Sequence, residues 1–311
     1  NGFNVMQTFE GVVVKTTGNI ITVQTGNERI FCRVKGSFRI KDINSTNPVA
    51  VGDYVKYYFE GGDALITELL ERNNYIIRKS KKLSKQVHIL AANIDHAYLV
   101  ATPILPRTST GFIDRFLATA EAYSIKASII FTKADIYDKD ILNYVDELKN
   151  LYSGIGYSVY IVSNQLPDSL IALKLQLKDK INLFTGHSGV GKSSLINVLI
   201  PGLNLKVTPI SEQHLTGKHS TTFAEMHQLP EGGFIIDTPG IREFGTYDFN
   251  KNDVTHYFPE FFRLLPNCKF NNCIHVNESG CAVLTALEKG EISPSRYHNY
   301  LSILNNEDIF R

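Results

Sequence analysis

At 311 residues the chain is long enough for two or three domains with a sizeable core. Its 32 Lys and Arg against 31 Asp and Glu leave a formal charge of +1, which excludes a globally basic polyanion binder and confines any nucleic-acid surface to a local patch. No apolar run approaches the roughly 18 residues of a membrane span, and NGFNVMQTFE has neither the basic head nor the apolar core of a signal peptide, so a cytoplasmic protein with no membrane partner is expected.

Residues 8–70 read as five short strands: FEGVVVKTTG, NIITVQTG, ERIFCRVKG, GDYVKYYFE and ALITELLER. They are rich in β-branched and aromatic residues and separated by Gly, Asn and Asp, which suits a small OB-like barrel over residues 1–72. The acid-free run RKSKKLSK, residues 78–85, follows in a stretch expected to be a basic linker (73–86), with phosphate contact as its functional reading. From residue 87 strand-like runs alternate with helical ones, predicting a mostly parallel α/β sheet to residue 245. Residues 246–311 read as mainly helical around a Cys/His cluster.

The strand INLFTG leads into GHSGVGKSS and a helical run, so Gly186, Gly191, Lys192 and Ser193 fit G-x-x-x-x-G-K-[ST]. The glycines let successive N–H groups turn toward a phosphate; the backbone of Gly186, His187, Ser188, Gly189, Val190, Gly191 and Ser194 is expected to wrap it. Lys192 would reach the β- and γ-phosphates and Ser193 would ligate Mg²⁺. In IIDTPG, Asp237 closes an apolar strand where a Mg²⁺-side carboxylate belongs, and Gly240 lets its N–H approach the γ-phosphate. The polar TGKHSTT between them supplies Thr221 or Thr222 to complete the Mg²⁺ shell. The base is chosen by FTKAD: Asp135 would accept from guanine N1–H and the 2-amino group, donors that adenine lacks, with Lys133 along the base plane. Ser163, followed by Asn164, lies where a loop amide would meet guanine O6.

GHSGVGKS, DTPG and TKAD resemble the G1, G3 and G4 motifs of a GTPase, but run here as G4 (from Thr132), G5 (Ser163), G1, G2, G3, a circular permutation. With the barrel in front and CKFNNCIHVNESGCAV behind, residues 8–304 resemble the RsgA (YjeQ/YloQ) family of small-subunit biogenesis GTPases. The resemblance implies slow GTP hydrolysis to GDP, stimulated by the 30S subunit late in its maturation, contact with 16S rRNA, and a monomer. The chain departs from it at Thr132, where Asn is usual, and at Asn164, where Ala is common. Ile241 follows the G3 glycine and cannot orient water, as a Gln does in Ras-like enzymes. His219 is the best candidate for that role, and the family's G2 loop, which carries a His before its two Thr, points the same way.

Cys268, Cys273, His275 and Cys281 fall within one short segment; three thiolates and an imidazole make a closed tetrahedral set for one structural Zn²⁺. Cys32, in a strand far from them, is expected to be a small buried apolar residue. Two other functions compete with the GTPase: a nucleotide-sensing RNA-binding protein with a degenerate core, to which Thr132 and Ile241 lend limited support and which the complete Gly186–Ser193 loop and Asp237 oppose, and an ATPase, which Asp135 opposes.

Overall fold

The computed structural model describes residues 7–34, 49–79, 87–207, 224–237 and 249–306. Five strands come first: β1 (Phe9–Thr17), β2 (Ile20–Thr25), β3 (Glu28–Val34), β4 (Tyr54–Glu60) and β5 (Asp63–Leu69). They pair in the order β1-β2-β3-β5-β4, and β4 returns to β1, so the sheet closes. The β3–β5 pairing is parallel and the others antiparallel, the OB-type arrangement the strand pattern predicts. Alternation sorts the faces: Val13, Val23, Val55, Ile66 and the expected Cys32 fill the barrel. Burial pushes the Cys32 thiol up to about 11. On the other face of β1, Val12 and Val14 join the core of the next domain.

The basic run is not wholly a linker. Tyr75–Lys79 is a strand (β6) paired antiparallel with β7 (Val87–Ala92); residues 80–86 lie outside the described residues. β-branched Ile76 and Ile77 favour extended backbone at the start of the stretch, and Ile76 is buried in the GTPase-side core.

The second domain comprises β8 (His96–Ala101), α1 (Thr110–Ala122), β9 (Lys126–Phe131), α2 (Lys139–Ile155), β10 (Ser158–Ile161), α3 (Ile171–Leu177), β11 (Ile181–Gly186), α4 (Lys192–Leu199), β12 (Glu225–Gln228) and β13 (Phe234–Asp237). Its sheet runs β10-β9-β8-β11-β13-β12, parallel except for β12. α1 and α2 cover one face through Phe112, Phe116, Leu148 and Tyr152; α3 and α4 cover the other through Leu173, Leu195 and Ile196. β11 is buried along its whole length, as expected of a central parallel strand. β12 also pairs with β1 at Glu225↔Lys15, so barrel and GTPase domain share one eleven-stranded sheet.

The last unit packs α5 (Pro259–Leu264), α6 (Ala282–Glu288) and α7 (Pro294–Leu304) around the Cys/His segment. No helix among the described residues is long and apolar enough to cross a membrane.

Candidate nucleotide site and metal centre

Because β8, β9, β10, β11 and β13 are parallel, their carboxyl ends open on one edge, where ligands of such sheets bind. That edge carries Thr132, Ser163, the 187–191 loop and Asp237. A Cβ at Gly186 would press into the Val100 carbonyl oxygen, so the loop can leave β11 there only as glycine. Gly191 takes φ +91°, a left-handed turn that starts α4 and aims its first N–H groups back into the loop. Lys192 Nζ contacts Asp237 Oδ1, which brings the two phosphate-side motifs together across the adjacent strands β11 and β13.

The base side is built on the end of β9. The Thr132 hydroxyl donates to the Val190 carbonyl of the phosphate loop and lies 3.4 Å from the Ala101 carbonyl. It therefore braces the loop, one of the tasks an Asn would perform in its place. Lys133 adopts φ +64°, uncommon outside glycine, and its Nζ donates to the carbonyls of Gly189 (2.9 Å) and Leu105 (2.6 Å). Its stem thus crosses from the base side to the phosphate loop, and burial pulls its pKa down. Asp135 is exposed and accepts from the Ser163 hydroxyl. The Ser163 amide is already used, donating to Ser169 Oγ at 3.0 Å. Half-buried Asn164 follows it in the chain. His187 turns inward onto Phe112 of α1, with ring centroids 4.2 Å apart, and burial lowers its pKa.

The four metal-ligand candidates converge. Their donor atoms lie within 4.8 Å of one another, and all four residues are buried. His275 Nδ1 stands 3.3 Å from Cys281 Sγ and 3.8 Å from Cys268 Sγ. Backbone amides of Ala282 and Leu284 donate to the sulfurs of Cys268 and Cys281, at 3.3 and 3.4 Å. Burial pushes the Cys273 thiol up to about 12 and raises Cys281 too. A bound divalent cation reverses that preference, because it holds the thiolate form. The set fits a metal such as zinc, with three sulfurs, one nitrogen and no fifth protein donor among the described residues. Tyr297 and Tyr300 of α7 hold the segment from outside, donating to the carbonyls of His275 and Ile274, each at 2.8 Å.

The RsgA GTPase family profile matches residues 69–247, and the RsgA N-terminal domain profile matches residues 10–66. The chain belongs to the RsgA GTPase family. The small ribosomal subunit biogenesis GTPase RsgA of Bacteroides fragilis (strain YCH46) is 51% identical over 301 residues, 96% of this chain and 97% of that one. Its counterpart in Flavobacterium psychrophilum is 48% identical over 303 residues, covering 96% and 93%. Among solved structures, YjeQ from Thermotoga maritima superposes with a TM-score of 0.80 at 35% identity, covering 96% of this chain and 98% of its own. YloQ, a circularly permuted GTPase, gives 0.76 at 32%, covering 98% and 97%. RsgA membership makes the chain a circularly permuted GTPase of ribosome biogenesis.

Four residues of the RsgA-type site expected from sequence, His219, Thr221, Thr222 and Gly240, lie outside the described residues, as does Ile241. One polar group had no sequence signal. Arg296 of α7, 1% exposed, pairs with Glu260 of α5 and reaches Asp114 of α1, clamping the metal unit onto the GTPase domain. Burial opposes the guanidinium charge, yet Asp114 and Glu260 more than offset it and raise the Arg296 pKa.

Proposed function

We propose that this chain docks on the small (30S) ribosomal subunit and hydrolyses GTP to GDP and phosphate late in the subunit's maturation, with a low basal rate that docking raises. The observation that carries this is the meeting at one sheet edge of Lys192 and Asp237 with Thr132, Lys133 and Asp135. Asp135 accepts from guanine N1–H and the 2-amino group; the loop amides from His187 to Ser194 and Lys192 bind the phosphates. Mg²⁺, when bound, neutralises charge on the β- and γ-phosphate oxygens, and Ser193, Asp237 and Thr221 or Thr222 are the residues that would hold it. The Lys192–Asp237 contact supports this, since it sets a carboxylate beside the phosphate loop. The Gly240 amide meets the γ-phosphate. His219 orients the attacking water and accepts its proton, a role left open by Ile241.

Cys268, Cys273, His275 and Cys281 hold one zinc, whose role is structural because four protein donors leave no open position. Residues 1–72 form an rRNA-binding barrel, 73–245 the GTPase domain and 246–311 the metal unit, in a cytoplasmic monomer that contacts 16S rRNA. His219→Ala tests the catalytic assignment: subunit-stimulated turnover should fall by at least about 100-fold with GTP affinity retained. Full stimulated turnover in that variant would remove His219 from the mechanism. Competition of unlabelled ATP against fluorescent GDP tests the base assignment, with no displacement expected at equal concentrations.

A further inference from the structure

Strand β3 sends Cys32 into the barrel and Arg29, Phe31 and Arg33 to solvent. Phe31 is 72% exposed, more than any other large apolar side chain among the described residues. A single exposed apolar side chain is ordinary; a phenyl ring between two exposed arginines at every second position of one strand face is a built surface. The neighbouring strands extend it. Phe31 stands opposite Thr22 on β2, which stands opposite Lys15 on β1, and Arg33 stands opposite Leu65 on β5. Thr22 is buried and Leu65 half-buried, so they form a floor from which Phe31 rises. Lys15 is ion-paired with Glu225, whereas Arg29 and Arg33, on the ring's own strand, make no ion pair among the described residues.

Two properties narrow the partner. β3 is paired with β2 from Glu28 to Cys32 and with β5 from Cys32 to Val34, which leaves no more than the short Glu28–Phe31 stretch on the β5 side for a peptide to add as a strand. The face lies on strands 2 and 3 of an OB-type barrel, where a flat ring and flanking cations match an unstacked base and its phosphates. We propose that Phe31 stacks an unpaired base of ribosomal RNA while Arg29 and Arg33 contact the adjoining phosphates. This rests on the small-subunit function proposed above and adds the surface that reads the RNA. Every base has a π-face, so the contact selects for an unpaired nucleotide and not for its sequence.

The test is equilibrium binding of the full chain to purified small subunits, with a non-hydrolysable GTP analogue, at several salt concentrations. Phe31→Ala should weaken binding by about 5- to 100-fold, Phe31→Trp should match or exceed the native affinity, and Phe31→Leu should behave as Ala, since it keeps an apolar side chain but no π-face. Arg29→Gln with Arg33→Gln should flatten the log–log salt slope by about 1.4, at roughly 0.7 per single-strand phosphate contact. Basal GTP turnover and Tm should not change in any variant, because the side chains are exposed and lie outside the nucleotide site. Native affinity in Phe31→Ala overturns the proposal. Native affinity in Phe31→Leu alone overturns it in favour of an apolar contact with a ribosomal protein. A native chain with no affinity for small subunits would contradict the proposed function together with this surface, whereas native binding that is indifferent to Phe31 removes the surface alone.

Discussion

Replacing Arg296 by Met probes the seam that joins the metal unit to the GTPase domain. The Arg296 guanidinium lies 2.7 and 3.1 Å from the two carboxylate oxygens of Glu260, 2.8 Å from Asp114 Oδ1, and 4.4 Å from the Phe258 ring centroid. Asp114 is fully buried and also accepts from Tyr152 OH (2.8 Å) and Asn299 Nδ2 (2.6 Å). Methionine keeps much of the stem packing but leaves Asp114 buried with no cation. Breaking a buried pair from one side costs roughly 3–5 kcal/mol, and the two neutral donors left on Asp114 place the loss near the lower end, about 3 kcal/mol. The loss should depend on pH. An orphaned buried carboxylate binds its proton more tightly folded than unfolded, so the folded state holds more protons and stability falls as pH rises above the unfolded value near about 4. Urea unfolding followed by circular dichroism should therefore show a smaller deficit at pH 5 than at pH 7.5. Asp114→Asn combined with Arg296→Met removes both charges and should recover much of the loss. A single-variant loss under about 1 kcal/mol, or a double variant no better than the single, would refute the reasoning.

Three further outcomes follow from the two sites. Thr132→Val keeps the shape but strips the donor from the Val190 carbonyl, so GDP affinity should fall by about tenfold while Thr132→Ser retains it; fluorescent-GDP titration decides, and native affinity in the Val variant contradicts the brace. Asp135→Asn replaces a charged acceptor by an amide, which should weaken GDP by about 100-fold or more and favour xanthosine diphosphate, whose C2 carbonyl accepts where guanine donates. Equal competition by GDP before and after the change would contradict the base assignment. Chelation of the metal should open the 249–306 unit to proteolysis, because the Cys/His segment contributes part of that unit's core, while the barrel stays intact; an unchanged cleavage pattern would show that the fold does not need the ion.

Most of the site was legible because its chemistry forces local sequence. A phosphate loop needs glycines at fixed spacing between a strand and a helix, and Gly186, Gly191, Lys192 and Ser193 stand where that spacing puts them. The OB-like barrel was readable from five short β-branched or aromatic runs with turn residues between them, but not its strand order. Features that depend on distant partners were not readable. β12 is only EMHQ, four residues with no β-branched side chain, and it becomes a strand because β13 and β1 flank it. β6 was hidden by the cations that follow Ile76 and Ile77. Arg296 sits in PSRYHNYLSIL, where an arginine reads as a solvent-facing helix residue. Only the packing of α7 on α1 and α5 shows that its partners are Asp114 and Glu260. Nor was the use of the Ser163 amide readable, because it donates to Ser169, six residues on, in a turn whose folding no local motif announces.

The central claim is that subunit docking drives GTP hydrolysis at the Gly186–Ser193, Asp237 and Asp135 site. The most direct measurement is GTP turnover by the full chain with and without purified small ribosomal subunits, with large subunits and ATP as controls. A slow basal rate that rises sharply only with GTP and small subunits is the predicted result. Tight GTP binding with no turnover in any condition would contradict it, and would make the chain a nucleotide-sensing RNA binder.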